Sequence, residues 1–163
     1  MKSLPIGTTA VILSIMLLSG TLAWSQDIAP TPPDKRAKCP VCGMFVARYP
    51  DWVAQVAFAD GTTDYFDGAK DMFKYLFNLG QYRPDKTRAD IAAIFVTEYY
   101  DMQAIEARKA FFVVGSDVYG PMGHELIPFH KHSDAQAFLT DHKGKQILTF
   151  PEVTPYVIRR LDP

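Results

Sequence analysis

Trp52-Val53-Ala54-Gln55-Val56-Ala57-Phe58 and Thr62-Thr63-Asp64-Tyr65-Phe66 stand on either side of Asp60-Gly61, and this stretch decides the fold. Both flanks are rich in β-branched and aromatic residues, and Asp-Gly supplies the positive φ angles that close a tight hairpin turn. A β-hairpin is expected here. The chain then changes period: Ala69, Met72, Phe73, Leu76 and Phe77 recur at three and four, so a helix follows, with Asp67 as its cap and Gly80 as its stop. The unit reads strand, strand, helix.

The same order returns further along. Ile91 to Tyr100, Lys109 to Gly115 and Glu125 to Phe129 have strand composition, and a helix follows from the Ser133 N-cap through Ala135, Ala137, Phe138 and Leu139 to Gly144. Sliding the chain by 63 residues brings Phe66 onto Phe129, Asp71 onto Asp134 and Leu76 onto Leu139. That offset points to a duplicated unit. The fold class is therefore α+β: two small related ββα(β) halves, 39–82 and 90–150, forming one compact unit because neither half alone can build a core. Ile147 to Phe150 adds a strand, and 151–163 is expected to be an irregular tail.

Outside this region the chain is simpler. Lys2, the uncharged apolar run Thr8 to Leu22, and Ala23-Trp24-Ser25 make residues 1–25 an export signal with cleavage after Ser25. An uncleaved N-terminal membrane anchor is the alternative, since the run has nearly the length of a short span. The run does not end in a cysteine, so lipid attachment there is not expected, and an exported, periplasmic protein is. Residues 26–38 carry Pro30, Pro32 and Pro33 among polar residues and read as an extended linker. With 48% hydrophobic and 21% charged residues, the composition is globular. Seventeen basic residues stand against eighteen acidic ones, with no basic block, so nothing electrostatic points to nucleic acid.

The chemistry concentrates in Cys39-Pro40-Val41-Cys42-Gly43-Met44, which holds both cysteines of the chain. Two thiolates and a nearby thioether form a soft donor set, the kind that selects Cu(I). A carrier needs a low coordination number and an accessible ion. Two or three sulfur donors near the surface are therefore expected, from Cys39 and Cys42 with Met44 or Met122; Met122 lies in the turn-prone stretch Gly120-Pro-Met-Gly123. His124, next but one, can add a nitrogen donor. Met72 reads as core. Three other readings stay open: a structural disulfide, a thiol-disulfide oxidoreductase, or half of a zinc site completed by His124, His130, His132 or His142. The redox reading lacks the strand that normally precedes such a motif. Asp67, Asp134, Lys70 and Lys109 read as caps and solvated faces.

Four blocks then add a resemblance: Cys39-Pro-Val-Cys-Gly-Met44, Tyr65-Phe-Asp-Gly-Ala-Lys-Asp-Met72, Ile105-Glu-Ala-Arg-Lys-Ala110 and Gly115-Ser-Asp-Val-Tyr-Gly-Pro-Met-Gly-His-Glu125. In this order, from about Lys38 to about Phe150, the chain resembles the NosL family, accessory proteins of nitrous oxide reductase. The resemblance implies a periplasmic, non-enzymatic Cu(I) chaperone. Its implied task is to supply the copper-sulfide centre of the reductase beside an ABC-type transporter. It also implies two ββαβ halves similar to a domain of organomercurial lyase. A homodimer bridged by metal through one CxxC from each copy is a further expectation.

Overall fold

The structure, a computed structural model, describes residues 28–162; the export segment expected at 1–25 lies outside the described residues. Strand β1 (Ala54–Phe58) and strand β2 (Thr63–Phe66) form the expected hairpin. Its loop is three residues long rather than two. Gly61 N–H donates to the Phe58 carbonyl at 3.0 Å, Phe58 N–H to the Thr62 carbonyl at 2.9 Å, and Gly61 takes φ +86°, the left-handed residue that such loops require. Helix α1 (Ala69–Phe77) follows and stops at Asn78 rather than Gly80, giving way to the short α2 (Leu79–Tyr82). Strand β3 (Ile91–Thr97) then pairs antiparallel with β1, and β4 (Ala104–Glu106) pairs with β3.

In the second half β5 (Phe111–Val114) leads to a small hairpin, β6 (Tyr119–Gly120) and β7 (Gly123–His124), then to β8 (Ile127–Phe129), α3 (His132–Asp141) and β9 (Gln146–Thr149). The two larger sheets run β2-β1-β3-β4 and β8-β5-β9. In each, the first strand in sequence lies between its hairpin partner and the strand that returns after the helix. The 63-residue offset falls on equivalent places: Phe66 ends β2 as Phe129 ends β8, and Asp71 and Asp134 are each the third residue of their helices. One grouping changes. Ile91–Thr97, read from sequence as the opening of the second half, belongs to the first sheet, because it pairs antiparallel with β1.

The core is shared. Phe73 of α1 meets Phe112 of β5 edge to face at 5.4 Å, while Ala54, Val56 and Phe58 of β1 and Ile94 and Val96 of β3 fill the same cluster. On the other face of β5, Val113 joins Ile127, Phe129, Ala135 and Phe138 beneath α3. The expected irregular tail is instead ordered: Thr154 caps α4 (Pro155–Leu161), with proline at the first position where its missing N–H costs nothing, and Ile158 and Leu161 enter the shared core. The proline-rich segment is extended but not free. Ile28 packs over Ala57, Ala93 and Phe95, and Thr31 N–H donates to Gln55 Oε1 at 3.0 Å, so it covers the outer face of the first sheet. Among the described residues no helix is long and apolar enough to cross a membrane.

Asp64 ties β2 to the helices. Its carboxylate accepts from Tyr75 Oη at 2.5 Å and from Arg83 Nη1 at 2.9 Å. Tyr75 is fully buried, so Asp64→Ala leaves its hydroxyl without that acceptor, at a cost of about 1–3 kcal/mol. A lowered urea midpoint with unchanged slope is the expected result.

Candidate metal centre

Residues 39–44 close on themselves. Lys38 and Phe45 form an isolated antiparallel bridge, Cys39 N–H donates to the Met44 carbonyl at 2.9 Å, and Gly43 N–H donates to the Cys39 carbonyl at 2.9 Å. Gly43 sits at φ +78°, a conformation that strains any residue bearing a Cβ. This turn directs the two side chains into the junction between β2 and α1. The expectation that both sulfurs lie near the surface is corrected here: Cys39 is 1% exposed, and only Cys42 is half-buried. Both thiols are free.

Two carboxylates meet them. Cys42 Sγ–H points to Asp67 Oδ1 at 3.2 Å, and Cys39 Sγ–H to Asp71 Oδ2 at 3.5 Å. Donor atoms of Cys39, Cys42, Asp67 and Asp71 lie within 4.8 Å of one another. Asp67 was read from sequence as a cap and Lys70 as a solvated face, and these too are corrected. Asp67, Lys70 and Asp71 are all buried, and the N-cap of α1 is Gly68, with no capping side chain of its own. Asp67 Oδ2 and Asp71 Oδ1 are buried without a hydrogen bond, although Lys74 Nζ stands 3.5 Å from the latter. Buried carboxylate oxygens left in this state mark a place where a cation would be welcome.

Burial sets the protonation of the sulfurs. Desolvation is the largest influence on both, and it outweighs the main-chain N–H groups that favour the thiolate; Cys42 is pushed up to about 12 and Cys39 further still. At neutral pH both are thiols when no metal is bound. A soft cation can displace their protons, whereas a redox nucleophile needs the opposite shift.

The other sequence candidates are spread around this cluster. Met44 ends the motif turn and is half-buried. Met122 occupies the two-residue tip between β6 and β7, 43% exposed, and its carbonyl accepts from Lys70 Nζ of α1 at 2.8 Å, so its turn lies against the helix that carries Asp71. His124 is outside the four-residue group, with its ring 4.8 Å from that of Tyr119. Nor do the remaining imidazoles join the thiols. His132 faces Phe111 at 5.2 Å, and His142 pairs with Asp117 at 3.2 Å and stacks on Phe138 at 4.3 Å. Sequence reasoning missed the two aspartates. The available signal was their four-residue spacing, flanked by Phe66 and Met72, which are themselves core.

The family model that describes NosL matches residues 30–158. The chain belongs to the NosL family. The copper-binding lipoprotein NosL of Stutzerimonas stutzeri is 26% identical to it over 136 residues, which cover 78% of this chain and 67% of that protein. The crystal structure of the copper chaperone NosL from Shewanella denitrificans superposes with a TM-score of 0.65 at 26% identity, covering 79% of this chain and 97% of the other. The apo-NosL protein from Achromobacter cycloclastes, solved by NMR, is 28% identical over 68% of this chain and 90% of that one, with a TM-score of 0.46. In this chain the CxxC turn lies against the acidic start of α1. The α+β class expected from periodicity alone is the class observed.

Proposed function

We propose that this protein is a periplasmic Cu(I) chaperone that supplies copper for assembly of the copper-sulfide centre of nitrous oxide reductase, working beside an ABC-type transporter. The observation that carries the reading is the convergence of two free thiols with two buried carboxylates at the start of α1. Cys39 and Cys42 are the principal ligands, Met44 or Met122 supplies a thioether, and His124 is the nitrogen candidate at the rim. Carboxylates are poor donors to so soft an ion. Asp67 and Asp71 instead accept the S–H hydrogen bonds of the two thiols. When an acceptor protein takes the ion, the protons return to sulfur and the buried pair is neutral again. The ion is cargo, and no bond of a substrate is made or broken.

Anaerobic titration against a Cu(I) chelator tests the binding, and mixing the loaded protein with copper-free nitrous oxide reductase tests delivery. Failure of the reduced protein to compete for Cu(I) would overturn the proposal. Because both thiols are protonated when free, affinity should rise with pH between about pH 6 and 8 as fewer protons remain to be displaced. A flat profile would count against the thiols as ligands. A metal-bridged homodimer would form on the side of Cys42, the less buried sulfur, and sizing with and without Cu(I) reports it.

A further inference from the structure

Lys70 stands between Asp67 and Asp71 in sequence, yet its side chain is 1% exposed. A buried ammonium is costly unless it is held by acceptors. Lys70 has two: its Nζ donates to the Met122 carbonyl at 2.8 Å and stands 3.0 Å from Asp162 Oδ1. The same residue is gripped at its main chain, where its N–H donates to Glu125 Oε1 at 2.6 Å. Glu125 is only three residues beyond Met122. One residue of α1 therefore holds the chain on both sides of the β7 strand, by its amide at one point and by its ammonium at the other. Asp162 closes the arrangement from the end of α4, meeting Lys74 Nζ at 2.6 Å as well. It lies beyond the part of the chain that matches the family model.

We propose that Lys70 and Asp162 form a clamp that fixes the Met122 turn against the first turn of α1, so that the Met122 thioether is presented to the thiol pair. Lys70 is then a positioning residue for a copper ligand. This rests on the reading that Cys39 and Cys42 hold Cu(I). A lysine that merely filled space would be replaced by an apolar residue at little cost, since an ammonium must be desolvated before it contributes anything. Its acceptors explain why a charge is present: the carbonyl of an exposed tip is fixed by a strong, directional donor. The Met122 side chain remains 43% exposed, free to turn toward an ion or toward a docking protein.

Chelator competition on the full chain, with Lys70→Met, Met122→Leu and the double variant, tests the clamp. Groups that orient a metal ligand change affinity by about 10- to 100-fold when removed, and a loss in that range is expected for Lys70→Met. Met122→Leu should lose a similar amount, and the double variant no more than either single, because the clamp acts only through that thioether. The melting temperature should instead fall with Lys70→Met in both backgrounds. X-ray absorption should count one sulfur fewer around Cu(I) in each single variant. An unchanged affinity in Lys70→Met, a neutral Met122→Leu, or losses that add in the double variant would each overturn the clamp. Should Lys70→Met fail to fold, Asp162→Asn takes its place, with a smaller loss of affinity expected in the wild-type background and none beside Met122→Leu. Loss of binding in Cys39→Ser with a neutral Lys70→Met overturns the clamp alone, whereas normal binding without the cysteines overturns the chaperone reading itself.

Discussion

Replacing Cys39 and Cys42 together by serine should abolish tight Cu(I) binding and leave the protein folded. A serine hydroxyl stays protonated at neutral pH and is a hard donor, so neither remaining oxygen can hold a soft monovalent ion as a thiolate does. The expected loss is at least about a thousandfold, which corresponds to about 4 kcal/mol. Folding should change little. Serine is close to cysteine in shape, and its hydroxyl can donate to Asp67 and Asp71 in place of the S–H groups seen at 3.2 and 3.5 Å. The single variants should differ in a way that burial predicts. Cys39 is enclosed and Cys42 is half-buried, so Cys42→Ser removes the sulfur an incoming partner reaches first and should impair transfer in addition to affinity. Near-normal affinity in the double variant, measured with an intact thermal transition, would remove the thiols from the site.

Gly68→Ala should be among the most damaging single substitutions for stability, and the reason is space rather than backbone conformation. Gly68 is extended, at φ −177°, which any residue adopts. A Cβ there would stand 2.2 Å from Glu125 Oε2. Glu125 is buried and caps α1 from a distance of 55 residues, its Oε1 accepting from Lys70 N–H at 2.6 Å and from Leu126 N–H at 2.9 Å. Displacing it leaves buried donors without an acceptor, at about 1–3 kcal/mol each, beyond the overpacking itself. A combined loss of about 3–5 kcal/mol is expected in denaturant unfolding. An unchanged midpoint would mean that the carboxylate can move aside freely, and that the cap does not hold the site.

Glu125 also gives stability a pH dependence of defined sign. Burial pushes its carboxyl up to about 8, against the partial opposition of the Leu126 and Lys70 N–H groups and the Lys70 charge. The folded state therefore keeps a proton that the unfolded chain has already lost between the ordinary carboxyl range and about 8. Folding stability must then fall as pH rises through that window, by about 1.4 kcal/mol per unit at most. Glu125→Gln keeps an oxygen acceptor and cannot ionise. Its stability relative to the wild type should grow from pH 5 toward 8 and be level outside that window, as paired urea titrations would report. A constant difference across the range would place the carboxylate in a more polar setting than the packing around Gly68 allows.

Local patterns were legible wherever neighbouring residues decide the outcome. Strand composition and Asp60-Gly61 located the first hairpin, three-and-four spacing located α1, a Ser133 cap and apolar side pointed to α3, and the 63-residue offset pointed to a duplicated unit. The start of α4 was legible as well, since Thr154-Pro155 is a cap followed by a first-turn proline. The partners of Ile91–Thr97 were not, because strand pairing is settled by which edge is free once the hairpin has formed.

By itself the sequence determined the periods of its strands and helices, and it placed two soft donors in one short turn with a glycine that lets the turn close. Only the tertiary structure decided what those donors face. Asp71 reaches Cys39 across 32 residues and Glu125 reaches Lys70 across 55, and none of these polar groups could be recognised as buried from sequence alone. The physical reason is that burial is a property of packing. The Asp71 carboxylate, which would be an ordinary solvated group on an isolated helix, carries an unsatisfied oxygen beside a protonated thiol once the CxxC turn packs against it.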